Sequence, residues 1–397
     1  MSTKILHYFN PGHENAILNT HPSYTPPASQ TEIMRELSSI PAWYGNQEDW
    51  VLVDQNFDEM YHQHLQKKGI ILSNIIKYKN LDQLREPNVY IWGVTPRDLR
   101  FFEKINKELS IEAKLPKWDE IIIRYNSRFY ARDILEQIIN SSDCFETITL
   151  PQFFTDLENL ELYHQNCLTK QLAKSPYSSA GRGLLWLPTT GITRTERQIL
   201  QGMFNRQPAV SLEPVYDKVL DFAMEFMSDG KGNVTFEGYS LFNTNDKGSY
   251  SGNILISQEQ IEENLSQYVT IGTLDWTKEK LQNLFSKDCG LIHKGCIGVD
   301  MMIYKEENTT KLHPCVEINM RYNMGYLSIK LQENHLHKDA TGHFYIEFNK
   351  AGETFAKHCE MEVKYPLQMI GNRIRSGYIS LCPVHEKTRY RAYILAE

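Results

Sequence analysis

No stretch of this 397-residue chain approaches the roughly 18 consecutive apolar residues that a membrane-spanning helix needs. At the N-terminus, Asn10, Pro11 and Gly12 interrupt the first apolar run before a signal-peptide core forms. The seven cysteines (144, 167, 289, 296, 315, 359 and 382) are odd in number, and no two are separated by two residues. That pattern supports neither a disulfide framework nor a paired zinc knuckle. Positive charge is also short: 42 Lys plus Arg stand against 49 Asp plus Glu, a net charge of -7. The chain as a whole therefore supplies no field to hold a polyanion, which argues against nucleic acid as a partner. Internal repeats, low-complexity segments and the GxxxxGK[ST] phosphate-loop spacing are missing too. The expectation is a soluble, cytoplasmic protein with no membrane and no nucleic-acid partner.

What is present is a globular composition, 41% hydrophobic and 23% charged, in a chain long enough for about two to three domains. Short apolar runs (ILHYF at 5–9, WVLV at 50–53, NVYIW at 88–92) alternate with amphipathic stretches, which predicts a small parallel α/β unit. EIIIRY at 120–125 reads as one more strand and 128–140 as a helix with Ile134, Leu135, Ile138 and Ile139 inward. From about 180 the pattern becomes period-two strands, interrupted by helical stretches at 258–268 and 277–286. That predicts antiparallel hairpins in an α+β arrangement. The tail from 340 adds two strand-like runs and a basic, aromatic end, to which no chemistry is assigned.

Three segments could carry chemistry. In GVDMMIYKEENTTKLHPCVEIN, a turn centred between Asn308 and Thr309 sets Asp300 opposite Glu317, and alternation puts Asn319 on the same face. Two carboxylates and an amide oxygen suit Mg²⁺, which takes hard oxygen ligands and usually shares them with phosphate and water. Read alone, the segment is equally a solvated acidic hairpin, with Pro314 permitting a slipped register. KSPYSSAGRG, from Lys174 to Gly183, places small residues and two cations before the strand LLWL. Such a loop can close its backbone N–H groups on phosphate, or be an ordinary turn. In VSLEPVYDKVLDFAMEF, Glu213, Asp217 and Asp221 punctuate an apolar run. They suit ribose hydroxyls and an adenine amino group, or simply the wet face of a strand. Asn10 to Glu14 follows the first strand, where α/β units place ligand loops, so His13 and Glu14 could meet substrate. GSYSGN at 248–253 reads as a hairpin turn or a loop over an acceptor, and His293 and Lys294 as a solvated turn or as groups that could reach phosphate across the sheet. His62, His64, His335 and His337 read as surface residues.

Together and in this order, the three segments resemble the ATP-grasp superfamily over about 120–330. The resemblance implies an N-terminal α/β domain (1–125) and a central lobe with the Gly/Ser phosphate loop (126–215). A C-terminal lobe with the metal site and a β-rich tail (216–397) would follow, with ATP held between antiparallel sheets. It implies that Lys174, Ser178, Ser179, Gly181, Arg182 and Gly183 hold the ATP phosphates. Glu213 and Asp217 would touch the nucleoside, and Asp300, Glu317 and Asn319 would bind Mg²⁺. EINMR is similar to the family's E-x-N-x-R ending, which carries Arg321 over as a catalytic contact beside Lys174. The family usually supplies an earlier lysine as well. Here NSRFYARD offers only Arg128 and Arg132, so Arg128 is the candidate, a rigid fork in place of a point charge. The implied activity is an ADP-forming ligase that joins a small-molecule carboxylate to an amine through an acyl-phosphate. A phosphotransferase on the same fold, or a nucleotide-binding protein without turnover, are the alternatives, and no signature identifies the acceptor.

Overall fold

A computed structural model of the chain describes residues 4–178, 181, 183–245 and 248–397. Three sheets organise it. The first is parallel, in the order β3-β2-β1-β4, from β1 (Ile5–Tyr8), β2 (Trp50–Val53), β3 (Asn74–Lys77) and β4 (Asn88–Ile91). The second is antiparallel, β5-β8-β6-β7, from β5 (Gln152–Phe154), β6 (Gln171–Lys174), β7 (Leu184–Leu187) and β8 (Val210–Pro214). The third has nine strands. Its first half uses β9 (Asp217–Asp229), β10 (Val234–Thr244), β11 (Tyr250–Leu255), β12 (Lys294–Glu306) and β13 (Thr309–Asn319). Its second half uses β14 (Gly342–Phe348), β15 (Gln368–Ile370), β16 (Arg373–Ser380) and β17 (Tyr390–Ala396), in the order β13-β12-β9-β10-β11-β14-β17-β16-β15.

The segment 120–125 is not a strand. Ile121–Tyr125 forms a short helix that leads through Ser127 into the helix Arg128–Ile139. Three consecutive isoleucines favour a strand locally, but Ile122 and Tyr125, one turn apart, are both buried, so packing overrides propensity. Ala131, Ile134, Leu135 and Ile138 bury the second helix against β13 and the nine-stranded sheet, and Ile139 is only partly covered. The long helix Ile271–Asp288 lies on that same face, over Phe222, Phe226 and Ile297. The opposite face is covered by the helix Met324–His335, which Asn323 caps by accepting from Tyr326 N.

The tail extends the large sheet and ties it to the N-terminal region. Trp43 Nε1 donates to the Leu381 carbonyl (2.8 Å), and Phe344, Ile379 and Ile394 share a core with Phe9 and Trp92. Three of the histidines read as exposed belong to the interior. His62 is buried on its helix, His335 is buried with Nε2 donating to the Trp43 carbonyl (2.8 Å), and buried His293 donates to the Cys296 carbonyl (3.0 Å). Spacing in a sequence cannot distinguish the wet side of a helix from a side that another domain covers.

Candidate functional site

The hairpin β12–β13 sets Asp300 directly across from Glu317, and Gly298 from Asn319. The route to that register differs from the expected one. Glu306 pairs with Thr309, so the turn is Glu307–Asn308, one residue earlier, with Glu307 at φ +54°. Between the Met302–His313 and Asp300–Glu317 pairs, β13 carries extra residues around Pro314–Val316. This bulge restores the pairing of the acids. Pro314 has no N–H to give a ladder, so a bulge suits it, and bulges commonly re-aim side chains beside active sites. His313, Cys315 and Val316 line a narrow cleft toward the small sheet, with Arg128 and Glu213.

β9 completes the acidic face. It pairs with the other side of β12, so Ala223 neighbours Asp300 and Glu225 neighbours Gly298. Glu225 is buried and was not foreseen. It sits in the apolar run DFAMEF, and its place opposite the acids depends on β9 lying beside β12, which sequence does not reveal. Asn323 Nδ2 donates to its Oε2 (2.7 Å). A Cβ at Gly298 or Gly325 would collide with its carboxylate, which explains glycine at both positions. Burial raises the Glu225 pKa, and even after Asn323, Cys296 and Arg321 pull it back down it stands at about 7. Burial also pushes the Asp300 carboxyl well above the usual carboxylate range, and the negative charges of Glu317 and Glu225 add to it.

Cations meet these acids from several directions. Arg128, at the start of its helix, donates from Nη2 to Glu317 Oε2 (2.9 Å) and to Ser178 Oγ (3.3 Å), and from Nε to the Ser175 carbonyl (3.2 Å). It therefore joins the Ser/Gly loop to the acidic hairpin. Lys174, at the end of β6 and buried, is ion-paired with Glu213 on β8, two strands that lie side by side. Gly181 and Gly183 adopt positive φ (+73° and +69°), and the Gly183 carbonyl accepts from Ser175 N (2.9 Å). Ser179 and Arg182 lie outside the described residues. Asp217 is exposed at the start of β9, opposite Lys305, while Asp221 bonds Lys218 and the Thr244 hydroxyl.

Arg321 does not continue the strand, since β13 ends at Asn319. From the following turn its side chain folds back, and Nη2 donates both to Asn319 Oδ1 (3.0 Å) and to Glu14 Oε1 (2.8 Å). Glu14 follows β1, so this ion pair links the parallel domain to the acidic face. Asn319 Nδ2 donates to Asp300 Oδ2 (3.2 Å).

The donor set fits Mg²⁺. Two facing carboxylates, one of them strongly disfavoured as a buried anion, gain from a hard cation. Among the described residues, no three acidic, histidine or cysteine side chains group closely enough to hold an ion alone. Asn319, water and phosphate oxygens must therefore complete any such site. No helix among the described residues is long and apolar enough to cross a membrane.

No protein-family model matches the chain, and no curated protein matches its sequence. Solved structures do match its shape. A biotin carboxylase from Campylobacter jejuni, in a β,γ-ATP complex, aligns over 100% of this chain and 87% of its own, with TM-score 0.53 at 9% identity. The biotin carboxylase domain of Hydrogenobacter thermophilus 2-oxoglutarate carboxylase, with ADP, MgADP and bicarbonate, covers the same shares at TM-score 0.50 and 8% identity. An N5-carboxyaminoimidazole ribonucleotide synthetase in complex with ADP aligns over 100% of this chain and 92% of its own, with TM-score 0.50 at 10% identity. At such identities the likeness concerns architecture: the chain has the ATP-grasp fold.

Proposed function

We propose that the chain is an ATP-dependent, ADP-forming ligase that joins a small-molecule carboxylate to an amine. The observation that carries the reading is the meeting of Asp300, Glu317 and Asn319 on one sheet with Lys174 and Arg128 from the facing region, across the cleft that Glu213 and His313 line. Solved neighbours of this fold hold ADP, MgADP and a β,γ-ATP complex, which supports the nucleotide and, through MgADP, the metal.

Lys174 and Arg128 would leave Glu213 and Glu317 to contact the ATP phosphates, the Ser178–Gly183 loop would close its N–H groups around them, and Glu213 would turn to the nucleoside. Asp217, exposed at the start of β9, would be the second contact to the nucleoside. Asp300, Glu317 and Asn319 would hold Mg²⁺, which when bound neutralises phosphate charge and orients the γ-phosphoryl group. A carboxylate oxygen of the substrate attacks the γ-phosphorus and ADP leaves. The amine nitrogen then attacks the acyl carbon, phosphate leaves, and the amine's proton passes to phosphate or solvent. Arg321, rigid and bidentate, would stabilise the phosphoryl or acyl-phosphate oxygens. Positioning and charge neutralisation account for most of the rate.

The test is ADP release with pooled carboxylates, each with and without amine, together with trapping by hydroxylamine. Hydroxamate and ADP are expected with a competent carboxylate. AMP, or a stable phosphorylated alcohol with no amine requirement, would overturn the reading.

A further inference from the structure

The loop that follows β1 is fixed in place. Asn10 Nδ2 donates to the Gly93 carbonyl (2.6 Å) and to Asp98 Oδ2 (2.7 Å), and its Oδ1 accepts from Gly93 N (2.9 Å). Gly12 turns the chain at φ +80°, and the absence of a side chain at Gly93 leaves room for the His13 ring. Asn126 commits its Nδ2 to the Ile122 carbonyl (2.9 Å), so its Oδ1 accepts from His13 Nε2 (2.9 Å). Residues 13 and 14 are thus held from two domains.

Within this frame one polar atom is left over. An arginine and a carboxylate usually pair as parallel forks that use both oxygens. Here Nε and Nη2 of Arg321 both converge on Glu14 Oε1, at 2.8 Å each. Glu14 Oε2 is buried and has no partner, on a side chain that is only 8% exposed. The neighbouring His13 Nδ1 is also buried without a hydrogen bond, 3.4 Å from Oε1. Burial opposes the charged form of Glu14, but Arg321 and His13 outweigh it and hold the carboxyl far below its usual range, so it is an anion that only accepts. A buried oxygen of this kind calls for an N–H or O–H donor from outside the chain. Its place is specific too, because the nitrogen of Arg321 that holds Oε1 also holds Asn319 at the end of the acidic face.

We propose that Glu14, flanked by His13, forms the subsite for the amine of the acceptor, whose N–H groups dock on Oε2. The inference rests on the ligase reading for its chemical context and deepens it. An acceptor-only anion selects a nitrogen that carries hydrogens and rejects a carboxylate or phosphate presented at the same spot. Arg321 offsets the charge of Glu14, so a neutral amine is held as well as an ammonium, and the neutral amine is the form that attacks.

The experiment measures direct binding to the full chain in the presence of MgADP, by ligand-observed NMR titration. The probes are ethylamine, ethanolamine and glycinamide, with ethanol, ethylene glycol and glycolamide as the partners that carry oxygen in place of the amine. At least one amine is expected to bind about tenfold more tightly than its oxygen partner, and Glu14→Gln, which sets a donor where the free oxygen was, is expected to erase that preference. Glu14→Asp, which keeps the anion but withdraws it by a methylene, should fall between. Equal binding of amine and oxygen partners, or an undiminished preference in Glu14→Gln at wild-type ADP affinity, would overturn the subsite. The ligase reading fails separately: amine preference without hydroxamate from any carboxylate removes the ligase and keeps the subsite, whereas hydroxamate without amine preference does the reverse.

Discussion

Among the described residues, the antiparallel sheet β5-β8-β6-β7 rests on seven buried apolar side chains, including Leu160, Leu200 and Leu212, whereas one face of the nine-stranded sheet rests on twenty-nine. Around the small core, Leu162, Leu168, Trp186 and Ile199 stay exposed, Leu168 at 95%. The division follows the chemistry. Lys174 and the Ser/Gly loop belong to the thin unit, while Asp300, Glu317, Asn319 and Glu225 belong to the thick one. Like charges concentrated on one face need a stiff frame to be kept together. An element proposed to grip phosphates would have to open and close, and sparse burial lowers the free energy of such opening.

The largest expected effect comes from the thick side. Asp300→Asn and Glu317→Gln should each slow ADP formation by about 10² to 10⁴. Burial and the neighbouring acids already disfavour the charged form of Asp300, so Asp300→Asn, which cannot ionise, should melt no lower than wild type in calorimetry without nucleotide. Loss of activity together with loss of melting temperature would mean that the acids serve the fold and not a ligand.

Next comes a direct contrast of the two cores. Leu281→Ala, under the large sheet, should destabilise the whole chain by about 2–5 kcal/mol in denaturant unfolding. Leu200→Ala, equally buried but in the small unit, should lower hydrogen-exchange protection there and weaken ATP binding while moving the main transition little. If both variants shift the main transition equally, the two sheets unfold as one and the contrast fails.

Much of this division was readable in advance, for reasons that differ by segment. The acidic hairpin was legible because both acids lie on one local hairpin, where period-two alternation assigns faces. Even so, the expected turn was one residue late, and the bulge at Pro314–Val316 corrected it. Lys174 was legible as a cation opening a Gly/Ser loop before the strand LLWL, whereas its place at the end of β6 came only with the family resemblance. Glu225 was not, because β9 meets β12 across 65 residues of chain, from Asp229 to Lys294, and no local pattern encodes which strands become neighbours. The buried state of His62, His293 and His335 was hidden in the same way. So was the helix at Ile121–Tyr125, where tertiary packing set the backbone against local propensity.

Lys174→Ala sharpens the contrast from the cation side. It leaves Glu213 without its partner and removes the charge proposed to meet the phosphates, so ATP affinity should fall by about 10- to 100-fold while adenosine binding falls far less. Titrating both ligands into wild type and variant measures the difference, and equal losses would remove Lys174 from the phosphate site.

The smallest effect concerns Glu225, the acid that no ligand is asked to reach. Its folded pKa is about 7 against an ordinary 4.5. As pH rises past 4.5, the unfolded chain releases this proton while the folded chain keeps it until about 7. Folding stability therefore declines across that window and is flat with respect to this group above it. Glu225→Gln keeps an oxygen for Asn323 and removes the titration. It should match wild type near pH 4.5, gain about 1–3 kcal/mol by pH 7, and hold that gain at higher pH. Chemical denaturation at several pH values reads the difference. A constant offset between the two proteins would mean that Glu225 is already ionised at low pH, and the thick side would then carry one more fixed negative charge than its burial favours.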